Sequence, residues 1–195
     1  LPEKRFQRLW FHRCFQNSVW ENNKKSRKQV NMAEIKTNAM RILDRAKIDY
    51  SPCFYPCDGQ VDGVHVAQVC GIPMEKCFKT LVTFFKEGNG KTEYFVFVIP
   101  VNKELDLKAA AKSVGVKRVE MLAVKDLLKT TGYIRGGCSP VGMKKKYPTY
   151  IDETCILFDE IAVSAGIRGE QIILNPQDLI QYTEATEADV TKNMD

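Results

Sequence analysis

The segment Met74–Pro100, MEKCFKTLVTFFKEGNGKTEYFVFVIP, holds two runs rich in β-branched and aromatic residues on either side of the polar linker KEGNGK. Runs of this composition read as strands of a buried sheet. An Asn-Gly pair between two such runs is a strong hairpin signal. The segment therefore predicts an antiparallel pair at the heart of the fold. One residue is out of place in it. Lys79 follows Cys77 and Phe78 and leads into Thr80, Leu81, Val82, Thr83, Phe84 and Phe85. Burying an ammonium is costly unless it is paired or loses its proton. Either Lys79 snorkels to the sheet edge, or it is there for chemistry.

Upstream, Ile35, Ala39, Met40, Leu43 and Ala46 repeat at helical spacing, predicting an amphipathic helix from Ala33 to about Lys47. DYSPCFYP reads as a short edge segment limited by its prolines, and DGVHVAQVCGIP as a helix closed by Gly71 and Pro73. Downstream, LDLKAAAKSVG and VKDLLKTTG are helices ending at Gly115 and Gly132, with KRVEM a short strand between them. The Gly- and Pro-rich loop RGGCSPVGMKKKYP follows. The strands EIAVSAG and EQIILN then bracket a turn around IRG, and PQDLIQYT is a helix beginning with proline. Hairpins with peripheral helices, lacking regular βαβ alternation, argue an α+β fold. The expected organisation is a basic extension over residues 1–31 outside the fold, one domain over 32–183, and a polar, acidic tail over 184–195 that frays.

Composition sets the bounds. A chain of 195 residues with 44% hydrophobic content suffices for one domain with a proper core. The longest apolar run, EYFVFVIPV, is too short to cross a bilayer, and no apolar secretion signal is legible near the start. Seven cysteines, an odd number without a small-scaffold spacing, favour reduced thiols and a cytosolic protein. The net charge of +5 is misleading, because residues 1–31 carry a balance of +6 and the remainder −1. Positive charge in the domain is therefore local.

Several motifs dissolve on inspection. GNGKT resembles the end of a phosphate-binding loop, but Phe85 stands where a glycine is needed and a strand follows where a helix should. Cys53, Cys57, His65 and Cys70 match no finger or ribbon spacing, so no metal is expected. Only His12 and His65 are available as imidazole bases, which argues against a histidine-driven hydrolase. Two features remain: Lys79, and the loop GGCSPVG, whose glycines let backbone N–H groups approach a ligand. Beside that loop, Lys144, Lys145 and Lys146 form either a solvated turn or a phosphate contact.

Taken in order, KCFKTLV, LDLKAAAKSVGVKRVEM, TGYIRGGCSPVGMKKKYPTYID and VSAGIRG resemble the YbaK/EbsC family, free-standing relatives of the prolyl-tRNA synthetase editing domain. The resemblance covers about Ala33 to Tyr182. It implies a mixed, mostly antiparallel, barrel-like sheet with peripheral helices. It also implies a trans-editing deacylase that clears Cys-tRNA(Pro), or Cys-tRNA(Cys), with no metal and no cofactor. A proline pocket cannot strongly exclude cysteine, since apolar contacts separate such volumes by only about 1–3 kcal/mol, and a separate editing site is then required. By family mechanism the substrate's own thiol attacks its ester carbonyl.

By the same resemblance, Lys79 is the essential lysine, anchoring substrate and stabilising developing negative charge. The loop residues Gly136, Gly137, Cys138, Ser139 and Pro140 hold the aminoacyl-adenosine end, and Tyr55, Thr80 and Ser164 line the pocket. Gln171 aligns with a position commonly acidic in the family, and Cys138 with one usually aliphatic. The partners implied are the aminoacylated 3′ end of tRNA(Pro) and prolyl-tRNA synthetase. The alternatives are a deacylase for another small residue, such as alanine on tRNA(Pro), and a non-catalytic module binding an aminoacyl or nucleotide ligand.

Overall fold

The computed structural model describes residues 36–56, 62–88 and 90–193. The basic segment 1–31, together with Ile35, Cys57 and Asn89, lies outside the described residues. The first helix, α1 (Asn38–Ala46), starts where the Thr37 hydroxyl accepts the Met40 N–H, and stops at Lys47 in a left-handed conformation. It buries Ala39, Met40 and Leu43 of the stripe its periodicity predicts, whereas Ala46 is exposed. Then β1 (Tyr50–Phe54) leads to α2 (Gly63–Cys70), capped by the Asp62 carboxylate and closed by Gly71.

The central hairpin is formed as the sequence requires. Strand β2 (Phe78–Lys86) pairs antiparallel with β3 (Thr92–Pro100), from Phe78 opposite Pro100 to Lys86 opposite Thr92. The linker is a turn in which the Glu87 N–H donates to the Lys91 carbonyl at 2.9 Å. After β4 (Lys103–Leu105) come α3 (Leu107–Ser113), β5 (Glu120–Met121) and α4 (Val124–Thr131). The expected strand KRVEM is thus only its last two residues. The chain continues with β6 (Thr149–Asp152), the β7 (Ile161–Ser164) and β8 (Glu170–Leu174) hairpin, and α5 (Pro176–Thr183).

Residues 186–193 of the expected tail are paired: β9 (Thr186–Ala188) runs parallel to β6, and β10 (Thr191–Asn193) pairs antiparallel with β4. Val190 between them is fully buried, and burial of its side chain offsets the entropy that would otherwise release the tail.

Among the described residues the strands form three sheets, ordered β1-β8-β7, β5-β2-β3-β6-β9 and β10-β4. Most pairings are antiparallel; β3–β6 and β6–β9 are parallel. The fold is α+β. The barrel-like sheet takes the form of two larger sheets joined by a parallel bridge between Cys77 and Ala162, without closing into a ring. Alternation along the strands divides the core. Phe78, Val82, Val96 and Val98 face one cluster with Val163, Ile172, Leu43 and Leu179. The opposite face carries a cluster under α2, with Cys53, Cys77, Ala162 and Ile173, and another under α3, with Phe97, Ile99 and Ala110. No helix among the described residues is long and apolar enough to cross a membrane.

Candidate active site

Lys79 lies two residues after Cys77, so both side chains leave the same face of the strand, the one under α2. The parallel Cys77–Ala162 bridge, extended by two residues, brings Lys79 level with Ser164. Ser164 pairs with Gln171, and Gln171 with Cys53. A row thus crosses four strands on one face: Lys79, Ser164, Gln171, Cys53. Tyr55 joins it at the end of β1, where its N–H donates to the Gly169 carbonyl at 2.9 Å. The structure therefore brings together Lys79, Ser164, Gln171 and Tyr55, from three separate stretches of the sequence.

The chemistry of this row is asymmetric. The Lys79 ammonium is part-buried and donates to the Val101 carbonyl at 3.2 Å. Burial pushes its pKa below the usual lysine value, while the Glu104 and Asp62 carboxylates work against that shift. Gln171 is 6% exposed, and its Oε1 is buried with no hydrogen-bond partner among the described residues. Orphaned buried acceptors are uncommon in native proteins, and a ligand donor is one way to satisfy them. The Ser164 hydroxyl accepts the Gly166 N–H at 3.2 Å, fixing its oxygen at the mouth of the β7–β8 turn.

The glycine loop docks against that same turn. A Cβ on Gly137 would lie 3.1 Å from both the Cα and the carbonyl carbon of Ile167, so only glycine permits this backbone contact without displacement. Gly136 has φ +84° and sits under the Arg168 side chain, whose Nε donates to the Arg135 carbonyl at 2.8 Å. Tyr133 braces the loop from below, donating its hydroxyl to the Val141 carbonyl. Gly136 and Gly137 therefore pack on the Ile167–Arg168 part of the turn that links Ser164 to Gln171 in the chain.

Other expected residues are placed differently. Ser139 is fully buried and its hydroxyl accepts the Val141 N–H at 3.2 Å, a local turn interaction. Pro140 is also buried. Cys138 packs in the cluster with Phe78 and Val82, and burial pushes its thiol up to about 12. Thr80 alternates to that face as well, opposite Lys79; its buried hydroxyl has no partner among the described residues. Cys77, which does share the Lys79 face, is likewise raised to about 12 by burial. Thiols so raised remain neutral near pH 7 and make poor nucleophiles.

The residues missed in the sequence are those around the ammonium: the Val101 carbonyl, Glu104 on β4 and Asp62 at the start of α2. Asp62 is legible as a helix cap, but not as a neighbour of Lys79, because the approach of α2 to Val101 is a tertiary fact. It is a close approach: a Cβ on Gly63 would sit 2.4 Å from Val101 Cγ1.

The arrangement provides a partly desolvated cation, a fixed hydroxyl and an unsatisfied carboxamide oxygen on one face of the sheet. Such a set can anchor a polar ligand and stabilise negative charge growing on an acyl oxygen. Residues 61–182 match the model of the aminoacyl-tRNA editing domain. The chain is 49% identical over 157 residues to EbsC of Enterococcus faecalis, a protein assigned as a Cys-tRNA(Pro)/Cys-tRNA(Cys) deacylase; the match covers 80% of this chain and 93% of that one. It is 25% identical over 144 residues to the multifunctional Ser/Thr-tRNA deacylase ProXp-y of Escherichia coli, covering 73% and 84%. A crystal structure assigned to a trans-editing enzyme for prolyl-tRNA synthetase shares the fold, with TM-score 0.64 at 24% identity over 74% of this chain and 87% of that one. The match to the family model and the close relative together establish that this chain belongs to the aminoacyl-tRNA editing domain family.

Proposed function

We propose that the protein is a trans-editing deacylase that removes cysteine from Cys-tRNA(Pro), with Cys-tRNA(Cys) as the related substrate. The observation that carries this is the Lys79 ammonium, half-desolvated on the face it shares with Ser164 and Gln171, in a chain that matches 93% of the length of EbsC. In the proposed reaction the substrate's sulfur forms a bond to its own ester carbonyl carbon. The carbon–oxygen bond to the terminal ribose breaks, and the thiol proton passes to the departing ribose hydroxyl. Lys79 holds the acyl oxygen as negative charge develops on it, an interaction strengthened where water is excluded. No protein thiolate is needed, in keeping with the neutral Cys77 and Cys138. The Gly136–Pro140 loop holds the terminal nucleotide from the side of the β7–β8 turn. Prolyl-tRNA synthetase supplies the partnership that delivers the mischarged tRNA, in the cytoplasm.

The test is deacylation of cysteinyl-, alanyl-, seryl- and threonyl-tRNA(Pro) by wild type and Lys79→Ala. Cysteine release by wild type should fall by about 100-fold or more in the variant, the scale of losing one charge-stabilising donor. Unchanged cysteine release in Lys79→Ala would overturn the mechanism. Release of serine or threonine instead would move the assignment toward the ProXp-y activity and make Gln171 the first residue to exchange.

A further inference from the structure

Two concavities among the described residues lie away from Lys79. Two adjoining clefts, of about 530 and 420 Å³, share Val116, Lys117 and Arg118. One is bounded by the β2–β3 turn and Lys86, the other by Lys108 and Lys112 on α3. Five cations therefore converge on one recess, in a sequence whose residues 32–195 sum to −1. Acidic groups beside it include Glu87, Glu120 and Asp106; Arg118 Nε lies 3.4 Å from Glu120, and the Asp106 carboxylate accepts the Lys108 N–H at 2.8 Å. In the other lysine run, Lys144 donates to the Leu128 carbonyl and Lys146 pairs with Glu184.

Charge concentrated in this way recognises a polyanion. The geometry relates the recess to the candidate site. Phe85 on its wall and Lys79 leave the same face of β2, six residues apart, which is about 20 Å at about 3.3 Å per residue. An RNA whose acylated end reached Lys79 would place its body at that distance. Both turns that frame the recess contain glycine: Gly88 and Gly115 have open space where a Cβ would stand, so a phosphate can approach their backbone. Protein partners are less suited, because a stable protein interface needs about 800 Å² from each side, whereas binding phosphates needs only a few well-placed cations.

We propose that this recess binds the phosphate backbone of the tRNA that carries the ester, a placement that rests on the deacylase assignment above. Lys117 and Arg118 lie at its centre, with Lys86, Lys108 and Lys112 at its margins.

The experiment is anisotropy titration of uncharged tRNA(Pro) against wild type, Lys117→Glu/Arg118→Glu and Lys108→Glu/Lys112→Glu, over a range of salt. Each double variant should weaken binding by about tenfold or more. Each should also flatten the slope of log affinity against log salt by about one for every phosphate no longer neutralised. Deacylation of an aminoacylated CCA trinucleotide, too short to reach the recess, should be unchanged, which also shows that the variants fold. Unaltered tRNA affinity and slope in both variants would overturn the proposal. So would an equal loss on the trinucleotide, or loss of prolyl-tRNA synthetase binding with tRNA binding intact. Uncharged tRNA carries no ester, so a failure of wild type to deacylate Cys-tRNA(Pro) would sink the assigned activity and leave this result standing.

Discussion

Lys79 costs the fold something, and that supports the role proposed for it. Its folded pKa lies below the ordinary 10.5 because burial disfavours the charged form. The folded state thus releases this proton before the unfolded state does. The penalty is present in full below the folded pKa and is relieved as pH rises toward 10.5. Lys79→Met should therefore abolish deacylation while leaving the thermal midpoint unchanged or raised; a drop of several degrees would assign the lysine to structure. The enzyme-dependent rate should also have an alkaline limb that begins below pH 10.5, as the ammonium discharges. A rate still rising through that pH would show that the charge is not used. Cys138 is the opposite case. Its raised thiol and apolar surroundings predict that Cys138→Ala keeps deacylation within a few-fold, read by initial rates on Cys-tRNA(Pro). At this scale the sequence is informative about Lys79, since a lone charge in a strand conflicts with its neighbours. It is silent about Asp62 and Glu104, which approach Lys79 only through packing.

At the scale of elements, the site depends on two turns meeting backbone to backbone. Gly137→Ala would press a methyl group 3.1 Å from Ile167, so either the loop or the β7–β8 turn must move. The expected cost is about 1–3 kcal/mol of stability, as for overpacking generally, with KM for the aminoacyl-tRNA raised. Urea melts and steady-state kinetics on the same variant check both; a normal KM with lowered stability would confine the loop to a structural role. Element identities are largely legible because capping and turn residues act locally. Pro176 and the left-handed Gly71 and Gly132 mark helix ends as the sequence suggests, and Asp62, Asp106 and Asn175 supply the N-terminal caps. KRVEM suggests more strand than forms, since Lys117 and Arg118 have strand-like neighbours but no strand to pair with. The register of β2 beside β7 is not legible at all. Its bridge joins Cys77 to Ala162 across a long interval of chain, and nothing local specifies it.

For the whole molecule, the sheet is completed by residues that follow the last helix. The acidic composition of residues 184–195 suggests a loose tail, because composition says nothing of backbone pairing. Yet Lys192 reaches Glu104 at 3.2 Å, and Val190 fills the cluster under α3. Val190→Ala, which removes two methyl-sized groups at about 0.8 kcal/mol each, should lower stability by about 1–2 kcal/mol, measured by chemical denaturation. No change would mean that the tail rests on the domain without supporting it. The same arrangement bears on how the protein is made. A ribosome releases the β2–β3 hairpin early, whereas β9 and β10 follow every other element of the domain, and folding begins from the N-terminal side during synthesis. The strand that carries Glu104 meets its partner only when residues 191–193 are free, and such distant pairings form slowly. A product terminated before residue 186 would lack both closing strands, including the one that pairs with β4, which carries Glu104. Translation would then release a full-strength editor only from a message it had read past those codons.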